Sequence, residues 1–213
     1  GINMDADWIT FNGWIHTGKN KKSKYDFDRI VDDTKQLSIR CIKRELDGSV
    51  IFTIYSYKLI SDNNLRFPSG FYEDIPFAYS AMLFAQNRYI SDSYNYKKYH
   101  LDTSITNTIS EKHIRGMIDS WVQTNLNLKE YILFDSQYEV VYGLFGIIAN
   151  AISSIVFNKI TPEYKMRLFS LLYKEIESKV LIDTSKYYFE TKKDKVTLFF
   201  LDTLSPTKIN FVS

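Results

Sequence analysis

The side chains best suited to acid–base chemistry are Glu73 and Asp74, adjacent carboxylates inside FPSGFYEDIPF, residues 67–77. Phe67, Phe71, Tyr72, Phe77 and two prolines surround them, so negative charge falls among residues that belong in a core. Neighbouring carboxylates point in different directions. One can take a proton from a hydroxyl while the other holds the same molecule by a second hydroxyl. The plain structural alternative is that Asp74 caps a helix and Glu73 is solvated beside it. A second pair of carboxylates, Asp5-Ala6-Asp7, has the spacing with which a strand end can share one metal ion. His16, His100 and His113 form no metal pattern, and each reads as a surface or satisfied core histidine. The run Lys19 to Lys24, KNKKSK, reads as a solvated loop with no binding role.

These residues need elements to position them. Ile75 to Gln86 holds helix formers, no glycine and Pro76 near its start, which predicts a helix whose first turn begins just after Asp74. It is apolar nearly all round, so it is expected to be buried, with its N-terminus in the interior or at a cleft floor. The positive helix end favours ionised Asp74, while Glu73 and the aromatic surroundings pull its pKa back upward. Trp8-Ile9-Thr10-Phe11 reads as a buried strand that stops in a turn at Asn12-Gly13. Ser49 to Ser56 is equally compatible with strand and helix. Val140 to Phe157 runs without a charge for roughly the minimum length of a membrane span. A central core helix is the first reading there, and membrane contact the second. Thr161 and Pro162 open a helix as N-cap and first helical residue, continuing to about Lys179. Lys186 to Leu201 reads as two strands around the turn Lys192 to Lys195.

Composition bounds what this machinery can serve. A chain of 213 residues with 45% hydrophobic side chains can bury a substantial core. A formal net charge of +2 provides no overall field for nucleic acid or an anionic membrane, so no nucleic-acid partner is expected. The single cysteine, Cys41, excludes an internal disulfide framework and fits a reducing compartment. The expected location is therefore cytoplasmic. The start at Gly1, without Met and with no signal peptide, reads as an excised piece of a longer protein.

Leu65-Arg66-Phe67-Pro68-Ser69-Gly70-Phe71-Tyr72-Glu73-Asp74-Ile75-Pro76-Phe77 resembles the F-P-x-G to E-D-(I/L)-x-F segment of family 2 glycosyltransferases of the GT-A fold. A second block, Tyr94-Asn95-Tyr96-Lys97 followed by Ser104-Ile105-Thr106, is similar to the tyrosine pair, basic residue and Ser-Ile-Thr triplet of that family. Upstream, Ala6-Asp7-Trp8-Ile9-Thr10-Phe11 resembles its "ADIV"-type strand, so the likeness covers roughly residues 6 to 115. It implies an inverting, nucleotide-sugar-dependent transferase in bacterial-type surface polysaccharide or glycan synthesis.

Such an enzyme removes a proton from an acceptor hydroxyl as it attacks the anomeric carbon. By the resemblance Asp74 is the base and Glu73 an acceptor ligand. Phe71, Tyr72 and Phe77 wall the sugar cleft, and Lys97 and His100 lie where family members place basic residues near donor phosphates. The family's donor half, with its Asp-x-Asp motif for Mn²⁺ or Mg²⁺, does not precede residue 1. The expectation is thus an α/β (α+β-like) fragment, with residues 1–115 the acceptor-side part of a partial GT-A domain. Residues 116–213 form a helical C-terminal region with a short terminal β-hairpin. The expected partners of the parent are a nucleotide sugar and a glycan or lipid-linked acceptor, with no metal firmly bound by this chain. The reading from another class is a non-catalytic protein- or membrane-interaction module.

Overall fold

A computed structural model describes residues 5–16, 20–23, 33–46, 48–99, 108–128 and 137–179. Helices and a small sheet are both present, an α/β or α+β arrangement in general terms. The strands are β1 (Trp8–His16), β2 (Asn20–Ser23), β3 (Thr53–Tyr55) and β4 (Arg88–Tyr99). The helices are α1 (Thr34–Ile42), α2 (Tyr57–Asp62), α3 (Asp74–Phe84), α4 (Glu111–Asn127), α5 (Gln137–Phe157) and α6 (Pro162–Lys179).

β1 is the centre of the sheet. β4 runs parallel to it along its whole length, from Trp8↔Arg88 to His16↔Tyr99. A strand has two edges, so β3 and β2 share the other in succession, both antiparallel, at Trp8–Thr10 and Gly13–His16. The strand does not stop at Asn12-Gly13, as the sequence leads one to expect. The register against β4 shifts on both sides of Asn12, which makes this a bulge within a longer strand. Glycine is needed there because a Cβ at Gly13 would lie 2.0 Å from the Phe52 ring. Part of the lysine run is also strand rather than loop, since Asn20–Ser23 pairs with the end of β1. Backbone pairing at a sheet edge needs no apolar side chain. The ambiguous stretch from Ser49 resolves into three pieces: a 3₁₀ turn at Val50–Phe52, then β3, then α2 capped by Ser56 Oγ, which accepts from Leu59 N–H at 3.0 Å.

Two apolar clusters fill the interior. One unites Trp8 of β1 with α1, α2 and α3, around Leu37, Ile42, Leu59, Tyr79 and Met82. The other is formed by α4, α5 and α6, around Ile114, Ile118, Ile148, Ile155 and Leu172. Tyr72 and Val140 pack against both. Within α5, Glu139–Phe157 is long and apolar enough to cross a membrane, and half of it is buried inside the protein. Gly143 lets α5 approach α1 closely, since a Cβ there would meet the Ile42 carbonyl oxygen at 2.1 Å. α6 begins as its residues predict, with Tyr164 N–H donating to Thr161 Oγ1 at 3.3 Å. The hairpin expected at Lys186–Leu201 lies outside the described residues.

Candidate functional site around Glu73 and Asp74

α3 is buried from Ile75 to Leu83 and carries the two carboxylates at its first turn. Its far end is fastened twice. Arg88 Nε donates to the Met82 carbonyl at 2.6 Å and Arg88 Nη2 to the Leu83 carbonyl at 3.2 Å, satisfying carbonyls left open at a helix C-terminus. Asp7 Oδ2 accepts from the backbone N–H groups of Gln86 (3.2 Å) and Asn87 (3.1 Å), tying the start of β1 to the turn after α3. Asp7 is thus engaged in holding the α3–β4 turn, which competes with a metal-sharing role beside Asp5. Among the described residues no three His, Cys, Asp or Glu side chains converge as metal ligands.

Only Ala85, Gln86 and Asn87 separate α3 from β4. The first turn of α3 lies near Tyr55, which pairs with Trp8 at the amino-terminal end of β1. Sequence reasoning makes Asp74 the N-cap, but the N-cap position falls on Glu73, whose side chain makes no capping hydrogen bond. Asp74 is the first helical residue, and Pro76 follows within the first turn, where its missing N–H costs nothing.

The loop before the carboxylates is shaped by two left-handed residues. Gly70 has φ 113° and Tyr72 φ 63°. Phe71 lies against α4 where Gly116 has no side chain, as a Cβ there would sit 2.6 Å from the Phe71 carbonyl oxygen. His113, on the same helix, meets Phe71 edge-on at 4.7 Å and Tyr72 at 6.3 Å between ring centroids. This histidine is only 5% exposed, with Nδ1 2.8 Å from Ser110 Oγ, so it is a satisfied core residue that also buttresses the loop. Phe77 is core as well, stacked on Phe67 at 4.0 Å and edge-on to Tyr55 at 5.4 Å.

Two residues of this neighbourhood, Tyr55 and Arg44, were not singled out by their sequence context. The Tyr55 hydroxyl is buried without a hydrogen bond of normal geometry. Burial pushes its pKa up to about 12, with the Thr53 side chain pulling the other way and the Asp74 charge adding to the rise. Tyr72 is likewise raised, first by burial, then lowered by Arg44 and raised by Asp74. Tyr55, Tyr72 and Asp74 therefore share one electrostatic environment, with the Arg44 cation beside Tyr72. Arg44 lies far away in sequence, and its left-handed φ of 56° just after α1 is its one unusual feature. Cys41 is fully buried, and its thiol is pushed well up by that burial against a smaller opposing effect of Arg88. It is therefore a core residue and not a nucleophile.

Lys97 stands apart. It is exposed on β4 opposite Trp14, whereas Tyr55 is opposite Trp8. That register difference corresponds to roughly 20 Å along β1, so the fold does not bring Lys97 to Asp74. His100 lies outside the described residues. No family model, curated protein or solved structure matches this chain.

Proposed function

We propose that the chain is the acceptor-side half of a nucleotide-sugar-dependent, inverting glycosyltransferase, with Asp74 as general base and Glu73 as a ligand of the acceptor hydroxyls. The observation that carries this reading is the placement of Asp74. It opens a buried helix near a buried tyrosine hydroxyl and behind a strained aromatic loop. Strained backbone concentrates at functional sites, and a solvated helix start does not require it. The FPSGFYED resemblance supplies the reaction class, and the adjacent carboxylates supply a candidate base and a candidate acceptor ligand.

In this mechanism the acceptor hydroxyl lies against Asp74 as its oxygen attacks the anomeric carbon. The proton passes to the Asp74 carboxylate and the nucleoside diphosphate leaves from the opposite face. A divalent cation, were one held by the donor-binding half, would supply charge neutralisation for the leaving diphosphate. Tyr55 and Tyr72 remain protonated at neutral pH, with pKa values above the ordinary tyrosine range, so neither competes with Asp74 as base. The test is incubation of the complete protein with UDP-sugars, Mn²⁺ and glycan acceptors, following the anomeric configuration of product by NMR. Transfer with inversion is expected. Transfer with retention, or no transfer across the donors, would overturn the assignment.

A further inference from the structure

Beside the stacked Phe67 and Phe77, the loop after α2, helix α3 and helix α4 line a cleft of about 400 Å³, within the size range of small-molecule sites. Its polar walls are mainly neutral: Asn63 and Asn64 on the loop, Ser80 on α3, Gln123 and Asn127 on α4. These groups are held in place. Gln123 Nε2 donates to Asn127 Oδ1 at 2.7 Å, Asn127 Nδ2 to Ser80 Oγ at 2.9 Å, and Ser80 Oγ to the Pro76 carbonyl at 2.8 Å. The relay leaves the Gln123 carbonyl oxygen and one N–H of each α4 amide without a described partner.

The loop wall is equally fixed. Asn64, at φ 48°, ends α2 in a Schellman arrangement, with Leu65 N–H donating to the Ile60 carbonyl (3.0 Å) and Asn64 N–H to the Ser61 carbonyl (3.2 Å). Asn63 Nδ2 donates to the Leu59 carbonyl at 2.9 Å, so its own amide oxygen remains an acceptor. Phe67 is 52% exposed although one of its faces is stacked on Phe77, which leaves the other face open. Among the lining residues only Arg66 is charged, and its Nη1 donates to the Leu65 carbonyl at 2.7 Å.

Amides present a donor and an acceptor side by side, matching the alternating hydroxyls of a sugar, and an open aromatic face suits the apolar face of the ring. With no carboxylate and one engaged cation, the cleft has little to offer an ionic ligand. We propose that it binds a neutral oligosaccharide. Asp74, Phe77, Ser80 and Phe84 follow one another along one face of α3, so a chain seated in the cleft extends toward Asp74. That last step, in which the cleft holds the outer residues of the acceptor, rests on the proposed transferase reading; the binding itself does not.

The test is titration of this chain with maltotetraose, cellotetraose and chitotetraose, read from the side-chain amide signals of Gln123 and Asn127 by NMR. At least one sugar should shift both signals. Gln123→Ala and Phe67→Ala should each weaken binding about tenfold or more, while Phe157→Ala, on an exposed helix end outside the cleft, should leave it within about twofold. Gln123 is half-buried on a helix surface and Phe67 is half-exposed, and the same spectra report that both variants fold. No shift with any of the three sugars overturns the cleft and leaves the transfer reaction standing. Binding that survives Gln123→Ala and Phe67→Ala but is lost in Asp74→Asn places the sugar at the carboxylates, and also overturns it. Cleft binding without any transfer activity in the complete protein would sink the transferase reading alone.

Discussion

Tyr72 holds a left-handed φ of 63° directly before the two carboxylates, a conformation that costs a bulky residue on the order of 1–3 kcal/mol. Its ring offsets this by packing against both apolar clusters. Gly70 is the cheaper solution to the same loop. A Cβ there would meet nothing within 4 Å, so its φ of 113° is the only reason for glycine. Gly70→Ala should therefore cost about 1–2 kcal/mol in urea unfolding through backbone strain alone. Tyr55 supports a second prediction. In the folded chain it keeps its proton to about pH 12, whereas an unfolded tyrosine releases it near pH 10. Between those values the unfolded chain binds fewer protons, so stability falls as pH rises. This contribution, on the order of 2 kcal/mol, is intact below about pH 10 and gone above about pH 12. Tyr55→Phe should flatten that decline. At pH 7 it should be neutral or stabilising by up to about 1 kcal/mol, because the hydroxyl it removes is buried without a normal hydrogen bond. Urea melts at neutral and alkaline pH compare the two directly. Glu73 and Asp74 were legible as candidates because paired carboxylates among aromatics are conspicuous. Tyr55 and Arg44 were not, since their relation to Asp74 exists only after β3 and the end of α1 are folded around α3.

α3 shows what an element adds to its residues. The sequence predicts its start, its burial and its proline within about a residue, because those depend on local composition. It cannot show that Asp7 and Arg88 fasten the opposite end, since both contacts cross between elements. The same limit explains the bulge at Asn12-Gly13: the dipeptide has turn chemistry, but pairing with β4 and the Phe52 ring carries the strand through it. Gly116 on α4 is the element-scale counterpart of the site residues, because it sets how closely α4 supports the Phe71–Asp74 loop. Gly116→Ala should destabilise the fold by about 1–3 kcal/mol, as backbone or helix must yield. It should also reduce transfer by about tenfold or more, since displaced catalytic groups lose alignment steeply. Gly146→Ala is the control: it is helical with nothing within 4 Å of a Cβ, so the better helix former should be neutral or stabilising by up to about 1 kcal/mol.

At the scale of the molecule, the sheet with α1–α3 and the α4–α6 layer are joined where the site lies, through Tyr72, His113 and Gly116. The α6 layer is clamped to α4 by charge: Glu175, 5% exposed, pairs with Arg115 and, at 2.7 Å, with Lys179, which also reaches Asp119. The long apolar α5 is placed with its middle inside this layer and its end outside. Ile148 is fully buried and Phe157 is 83% exposed. Ile148→Ala should therefore cost about 2–5 kcal/mol in lipid-free buffer, whereas Phe157→Ala should cost little. Comparable small effects at both positions would contradict the core role of α5. Length and hydropathy alone left α5 open between core and membrane, because both environments select the same residues and only packing partners separate them.

The most direct measurement of the central claim compares the transfer rate and the melting temperature of Asp74→Asn with those of the wild type, with UDP-sugar and Mn²⁺, in a protein that joins this chain to the donor-binding half the proposal requires. A general base contributes about 10²–10⁴-fold, so turnover should fall by at least about a hundredfold while the melting temperature stays nearly unchanged. Turnover within a few-fold of wild type in a folded Asp74→Asn protein would contradict the role of Asp74 as base, leaving it a first-turn helix residue only.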